Sequence, residues 1–332
     1  MTRRPEQIAQ DLERAGNRIR PVLEDLFPRN RSDHLSAPFW HHMETGGKRI
    51  RPALCLLCCE RLGGRDENAL PFAAAVEILH NMLLIHDDLE DGDRIRRDRP
   101  AVWVKYGMEN AVNVGDYMLG RAYSAIHRTP MDDSTITRLT AAFTRTYERT
   151  CRGQALDMNT RADPDLTVAD YLEMVRLKTG DYLALGMVGG AIIAGLSDQE
   201  IAPICALGSS MGPAFQIRDD VIDLTRGKGR GGSVGNDIRE GKPSILYAHA
   251  LSEADPRARQ RLIRIMSRGR DETSEEDVQW VISLYRNLGS LEFADNRAEE
   301  LVAEAFDTIG RIPVRDKSFF REVAAFMAER AT

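Results

Sequence analysis

Two short stretches of the chain repeat one acidic spacing. "HDDLED" sets Asp87, Asp88 and Asp91 in a DDxxD pattern, and "RDDVID" repeats it with Asp219, Asp220 and Asp223. Each stretch closes a run of mainly apolar residues, so neither reads as a simple solvated charge run. Residues four apart share one face of a helix, which puts Asp87 beside Asp91. Like charges at that spacing cost roughly 0.2–0.5 kcal/mol even when exposed. Beside buried apolar surface the cost grows unless a cation enters. Oxygen-only ligands suit a hard cation, and Mg²⁺ retains several waters while bridging carboxylates to substrate phosphates. Calcium is the poorer fit, since the EF-hand loop pattern is missing. A single acidic motif could be an exposed helix end; two, each behind an apolar helix, point to paired metal-binding groups.

Cations accompany both clusters. "GGKRIRP" sets Lys48, Arg49 and Arg51 behind Gly46 and Gly47, and Arg96 and Arg97 follow the first acidic group. Lys178 and Thr179 lie in "RLKTGDY", at a junction between helical segments, and Lys242 follows the second group in "REGKPS". Each cation alone reads as solvated. Gathered around two acidic helix ends, they suit capture of a diphosphate. His86 reads as structural, and Asp93 as a partner of the arginines after it.

Helices must position these groups. "EQIAQDLERAGNRIRPVLEDLF" has apolar residues at i, i+3 and i+4. "NALPFAAAVEILHNMLLIHDD" is apolar almost all round, as expected inside a bundle. Thr167 with Asp170 three residues on predicts a helix N-cap. There is no convincing strand alternation and no nucleotide-binding glycine fingerprint. The glycine-rich Arg226 to Asp237 reads as a loop. The expectation is one all-α domain over 1–332.

Composition narrows the function classes. A net charge of −6 over 332 residues disfavours general nucleic-acid binding, which needs a basic field. The stretch Tyr182 to Leu196 is shorter than the ~20 residues of a membrane span. It reads as a buried helix whose glycines permit close packing. The first residues lack the apolar core of a signal peptide. Cys55, Cys58 and Cys59 read as core thiols of a reducing, cytoplasmic protein rather than zinc ligands.

The chain resembles the trans-isoprenyl diphosphate synthases, the polyprenyl synthetase family. The matching segments are "GGKRIRPAL", "LLIHDDLEDGDRIRR", "GDYML", "GQALDM", "LKTG", "FQIRDDVID" and "REGKPS", in family order from about residue 46 to residue 250. The resemblance implies a bundle of long helices around a deep central cavity, usually in a homodimer. It implies Mg²⁺-dependent, head-to-tail condensation of isopentenyl diphosphate with an allylic diphosphate. By this resemblance Asp87 and Asp91 bind Mg²⁺ with support from Asp88. Asp219, Asp220 and Asp223 face them, with Asp219 the direct ligand, and three ions gather once substrate is bound. Arg96, Lys178 and Lys242 contact the allylic diphosphate. Lys48, Arg51, His80 and Arg97 hold isopentenyl diphosphate in a metal-free basic site. Thr179 and Gln216 lie beside the carbon that becomes cationic.

Three positions depart from the family pattern. Asp98 stands where glycine is common, and Asn236 where a charged residue is usual. Gly232 replaces a lysine expected ten residues before Lys242, and Lys228 or Arg230 in the same loop could substitute. Product length is expected to be read at Met82 and Leu83, the positions five and four before Asp87. Neither is aromatic, and Ala73, Ala74 and Ala75 lie further back. A product longer than farnesyl follows, with geranylgeranyl diphosphate first. The alternatives are a farnesyl or longer polyprenyl synthase, a terpene cyclase, and a non-catalytic subunit that tunes a partner synthase.

Overall fold

The structure, a computed structural model, describes residues 5–29, 34–225, 234–269 and 272–330. It is all-α as expected, apart from one short hairpin among the described residues. The chain separates into two compact units.

The first unit comprises Met1–Arg145, Ala184–Ala202 and Pro313–Phe319. It begins with α1 (Pro5–Asn17), α2 (Arg20–Leu26), α3 (Ser36–Met43), α4 (Ile50–Arg61) and α5 (Asp66–Glu90). The hairpin β1 (Ile95–Arg96) and β2 (Arg99–Pro100) follows, then α6 (Val102–Tyr106) and α7 (Met108–Ile126). The helix α8 (Asp133–Asn159) leads out of this unit.

The second unit comprises Thr146–Leu183, Pro203–Ile312 and Phe320–Thr332. It holds α9 (Val168–Val175) and a π-helical turn at Arg176–Gly180, from which α10 (Asp181–Ile193) runs back into the first unit. The long α11 (Asp198–Thr225) starts in the first unit and ends in the second. After it come α12 (Asn236–Arg239), α13 (Ile245–Glu253), α14 (Pro256–Met266), α15 (Glu275–Asn287), α16 (Ser290–Arg311) and α17 (Ser318–Arg330). The core of this unit is built from Tyr171, Ile217, Tyr247, Leu262, Val281 and Tyr285 with their neighbours.

The helix α5 is the centre of the first unit and packs on α4 and α7. Asp66 and Glu67 occupy its first turn, where the helix dipole favours negative charge. Its end is built at the acidic cluster. Gly92 adopts a left-handed φ of 69°, the Asp93 N–H donates to the Asp88 carbonyl at 2.8 Å, and the Gly92 N–H to the Leu89 carbonyl at 3.3 Å. This Schellman arrangement stops the helix at Asp91, which explains the "EDGD" that follows the aspartate pair. By length and composition α5 could cross a membrane, but 67% of its apolar window is buried within the fold, as for a core helix.

The expected buried helix at 182–196 is α10, and its glycines do allow close approach. A Cβ at Gly186 would lie 2.3 Å from the Arg51 carbonyl oxygen, and one at Gly190 2.3 Å from that of Cys55. Cys55, Cys58 and Cys59 are buried and unlinked, as read from the sequence. Burial pushes the thiol of Cys59 up to about 11. Thr167 and Asp170 form the expected capping box of α9.

Two local features were not anticipated. The sequence reading found no strand, yet Ile95 pairs with Pro100 and Arg96 with Arg99. The two turn residues, Arg97 and Asp98, have φ of 49° and 62°. A two-residue loop with both residues left-handed matches the twist of a hairpin, and Asp tolerates that conformation better than most residues. This is why glycine suits position 98. The expected loop at 226–237 also ends early, because α12 starts at Asn236. Lys228, Arg230 and Gly232 lie outside the described residues.

Candidate active site

In the first unit, the basic residues converge. Lys48, Arg49, Ile50 and Arg51 at the start of α4, Glu77 and His80 on α5, and Arg97 of the hairpin turn line a cavity of about 500 Å³. All four residues expected around isopentenyl diphosphate, Lys48, Arg51, His80 and Arg97, are therefore together. Burial and the charges of Arg51 and Arg97 push the His80 imidazole well below its ordinary range, so it is neutral.

Asp88 is fully buried and accepts from Arg96 Nε at 2.8 Å and from a second guanidinium nitrogen. Arg96 Nη2 also lies 4.0 Å from Asp93, in line with the role read for Asp93. Asp88 thus holds a cation at the helix end, while Asp87 and Asp91 are half-exposed on the same face. His86 packs against α7 at Gly115, where an added Cβ would meet its ring at 2.0 Å. A packing role for His86 agrees with the sequence reading. Met82 is 1% exposed and Leu83 half-buried.

The second unit repeats this division. Asp220, 5% exposed, accepts from the Tyr171 hydroxyl at 2.7 Å and from Gln216 Nε2 at 3.0 Å. Asp223 is fully buried; its carboxylate accepts the Asp237 N–H at 3.1 Å and its carbonyl the Gly235 N–H at 2.9 Å. Asp219 is half-exposed. Lys178 and Thr179 sit in the π-helical turn, with Lys178 paired to buried Asp157. A helix that carries one extra residue in a turn shifts the side chains of that turn, a device frequent at functional sites. Lys242 lies 2.9 Å from Glu240 and borders a small crevice shared with Asp220 and Asp237.

No group of three or more His, Cys, Asp or Glu side chains among the described residues is arranged to hold a metal ion. The chemistry of the donor set still suits Mg²⁺. That ion takes one or two carboxylates plus substrate phosphates rather than a full protein cage. Asp87, Asp91 and Asp219 are the half-exposed members of their clusters, and the other three are turned to internal partners.

Sequence reasoning missed Glu77, Asn81, His42, Asp157, Tyr171 and Glu240. Glu77 carried a signal: it is the one acid inside the apolar run "AAAVEIL". Tyr171 carried none, because its partner Asp220 is 49 positions away.

A model of the polyprenyl synthetase family matches residues 32–285. The chain is 36% identical over 318 residues to the short chain isoprenyl diphosphate synthase of Methanothermobacter thermautotrophicus, covering 96% of this chain and 94% of that protein. It is 29% identical over 327 residues to the geranylgeranyl diphosphate synthase of Methanosarcina mazei, covering 97% and 98%. The crystal structure of geranylgeranyl pyrophosphate synthetase from Pyrococcus horikoshii matches with a TM-score of 0.89 at 30% identity, over 98% of this chain and 99% of that one. Motif order, fold and likeness along nearly the whole length agree, and the chain belongs to the polyprenyl synthetase family.

Proposed function

We propose that the chain condenses isopentenyl diphosphate with an allylic prenyl diphosphate, head to tail, and that its main product is geranylgeranyl diphosphate. The observation that carries this reading is the cavity in which Lys48, Arg51, His80 and Arg97 meet. It provides clustered cations and a neutral imidazole, which suit a diphosphate. Relatives named geranylgeranyl diphosphate synthases support the product length. The whole chain acts as one catalytic domain, and the working form is a cytoplasmic homodimer.

Mg²⁺ held by Asp87, Asp91 and Asp219 would stabilise negative charge as diphosphate leaves the allylic carbon. Arg96, fixed by Asp88, binds the same diphosphate together with Lys178 and Lys242. Thr179 and Gln216 border the carbon that becomes cationic, and Asp220 fixes the Gln216 amide. The isopentenyl double bond attacks that carbon, and the departing diphosphate accepts the proton lost afterwards. No side-chain nucleophile is needed. The apolar part of α5 below Asp87 keeps water from the growing chain.

Incubating the purified chain with labelled isopentenyl diphosphate and dimethylallyl, geranyl or farnesyl diphosphate tests this, with and without Mg²⁺. Label should enter a geranylgeranyl product only with the metal. A chain that incorporates no label from any starter refutes the proposal.

A further inference from the structure

Glu77 is the one acid among the residues that line the basic cavity. It is 4% exposed. Its Oε1 accepts from Asn81 Nδ2 at 3.1 Å, and the same Nδ2 donates to the Glu77 carbonyl at 2.8 Å. The other carboxylate oxygen, Oε2, is buried without a hydrogen-bond partner. The groups acting on it come from every side. Lys48, Arg49 and Arg51 lie at the start of α4, Arg97 in the hairpin turn, and His80 one turn further along α5. Behind Asn81 sits His42 of α3, hydrogen-bonded to that asparagine and in the field of Arg96 and Arg97.

A diphosphate in this cavity presents hydrogen-bond acceptors, and an ionised carboxylate presents acceptors too. Two negative groups held close together away from water repel, and a proton taken up by the carboxylate removes that cost. The neighbouring donors do not resolve this at Oε2, because Asn81 is already committed to Oε1 and to the main chain. We propose that binding of isopentenyl diphosphate is coupled to uptake of one proton by Glu77, which neutralises its buried carboxylate as the anion arrives. The proton comes from solvent, and no covalent bond of the ligand changes. The proposal rests on the assignment of this cavity to isopentenyl diphosphate.

The electrostatics agree. Burial already pushes the Glu77 carboxyl above the usual range, against the Asn81 hydrogen bond and the charges of Arg49, Arg51 and Arg97. An arriving anion pushes it further the same way. His80 and His42 are held below their ordinary range, chiefly by burial, and are neutral in the empty cavity. Glu77 thus offsets the guanidinium charges while the cavity is empty and gives up its own charge when it fills.

Calorimetric titration of the full chain with isopentenyl diphosphate tests the coupling. EDTA and the absence of allylic substrate prevent turnover, and two buffers of different ionisation enthalpy report proton uptake near pH 8. The wild type should take up about one proton more per ligand than Glu77→Gln. The glutamine amide is neutral throughout and has no charge to give up, so the variant should keep its affinity from pH 8 to pH 9 while the wild type weakens up to about tenfold. His42, His80 and the ligand's own phosphates are present in both proteins, so the difference isolates Glu77. Equal uptake in the two proteins, or a wild-type affinity as flat as the variant's, overturns the proposal. If Glu77→Gln does not fold, the wild-type profile above pH 8 decides, and a flat one overturns it. A wild type that binds no isopentenyl diphosphate would refute the cavity's assignment itself, which is a different result from binding without proton uptake.

Discussion

Replacing Gly186 by alanine tests how α10 sets the basic cavity. The new Cβ would fall 2.3 Å from the Arg51 carbonyl oxygen and 3.3 Å from the Arg51 carbonyl carbon and the Cys55 nitrogen. Ordinary contact needs about 3.4 Å or more, so the two helices must separate by about 1 Å. Both obstacles are main chain and cannot rotate away. Overpacking of this kind costs about 1–3 kcal/mol, and this site belongs at the upper end. Alanine returns about 1 kcal/mol of helix propensity, leaving a net loss of about 2 kcal/mol. At about 2–4 °C per kcal/mol, the melting midpoint should fall by about 4–8 °C. Because the displaced atom belongs to Arg51, the KM for isopentenyl diphosphate should rise more than the KM for the allylic substrate. Gly120→Ala is the control: nothing lies within 4 Å of a Cβ there, so the propensity gain should appear alone. Thermal melts and steady-state kinetics on both variants decide. A Gly186→Ala protein as stable as Gly120→Ala, with an unaltered KM for isopentenyl diphosphate, refutes the packing argument.

Tyr171→Phe removes a donor from buried Asp220 and should cost about 1.5–3 kcal/mol, with more Mg²⁺ needed for half-maximal activity. A Mg²⁺ titration matching the wild type would contradict that role. Asp98→Gly relieves a φ of 62° in the hairpin turn and should stabilise by a few tenths to 1 kcal/mol in denaturant melts. A loss of stability would show that the Asp98 side chain matters more than the backbone. Met82→Phe should shorten the main product in chromatographic analysis, and an unchanged product profile argues against a wall at this position. His42 is buried and neutral, its pKa lowered from 6.5 to about 3, chiefly by burial. The unfolded chain therefore binds a proton that the folded chain refuses between those values. Its contribution is complete above about pH 6.5 and is lost as pH falls toward 3, at up to about 1.4 kcal/mol per pH unit. Denaturant melts of His42→Gln across that range should show a shallower acid slope than the wild type, and an identical slope would exclude His42 as a source of acid lability.

Local spacing made much of the site legible in the sequence. The two DDxxD patterns, the capping box at Thr167 and the core thiols follow from relations within a few residues. So does the end of α5, since "EDGD" encodes its own stop. Which aspartates face inward was not legible. Asp88 is committed by Arg96 across a turn, Asp220 by Tyr171 from another helix, and Asp223 by the main chain of Asp237. Such partners are chosen by tertiary packing, which one sequence does not display. The hairpin was missed because two-residue strands leave no alternation to detect, and its turn carries Arg-Asp instead of the usual Asn-Gly.

Asp223, near the end of α11, holds the main chain at Gly235 and again at Asp237, so the return of the chain to this helix is fixed without help from the residues of 226–233. Closure entropy rises only with the logarithm of the number of residues spanned, about 0.6 kcal/mol for each doubling. Lengthening or rewriting that stretch should therefore burden the fold very little. Evolution, or a protein engineer, is free to relocate a lysine or arginine within it while Asp223 and its two main-chain partners keep their register.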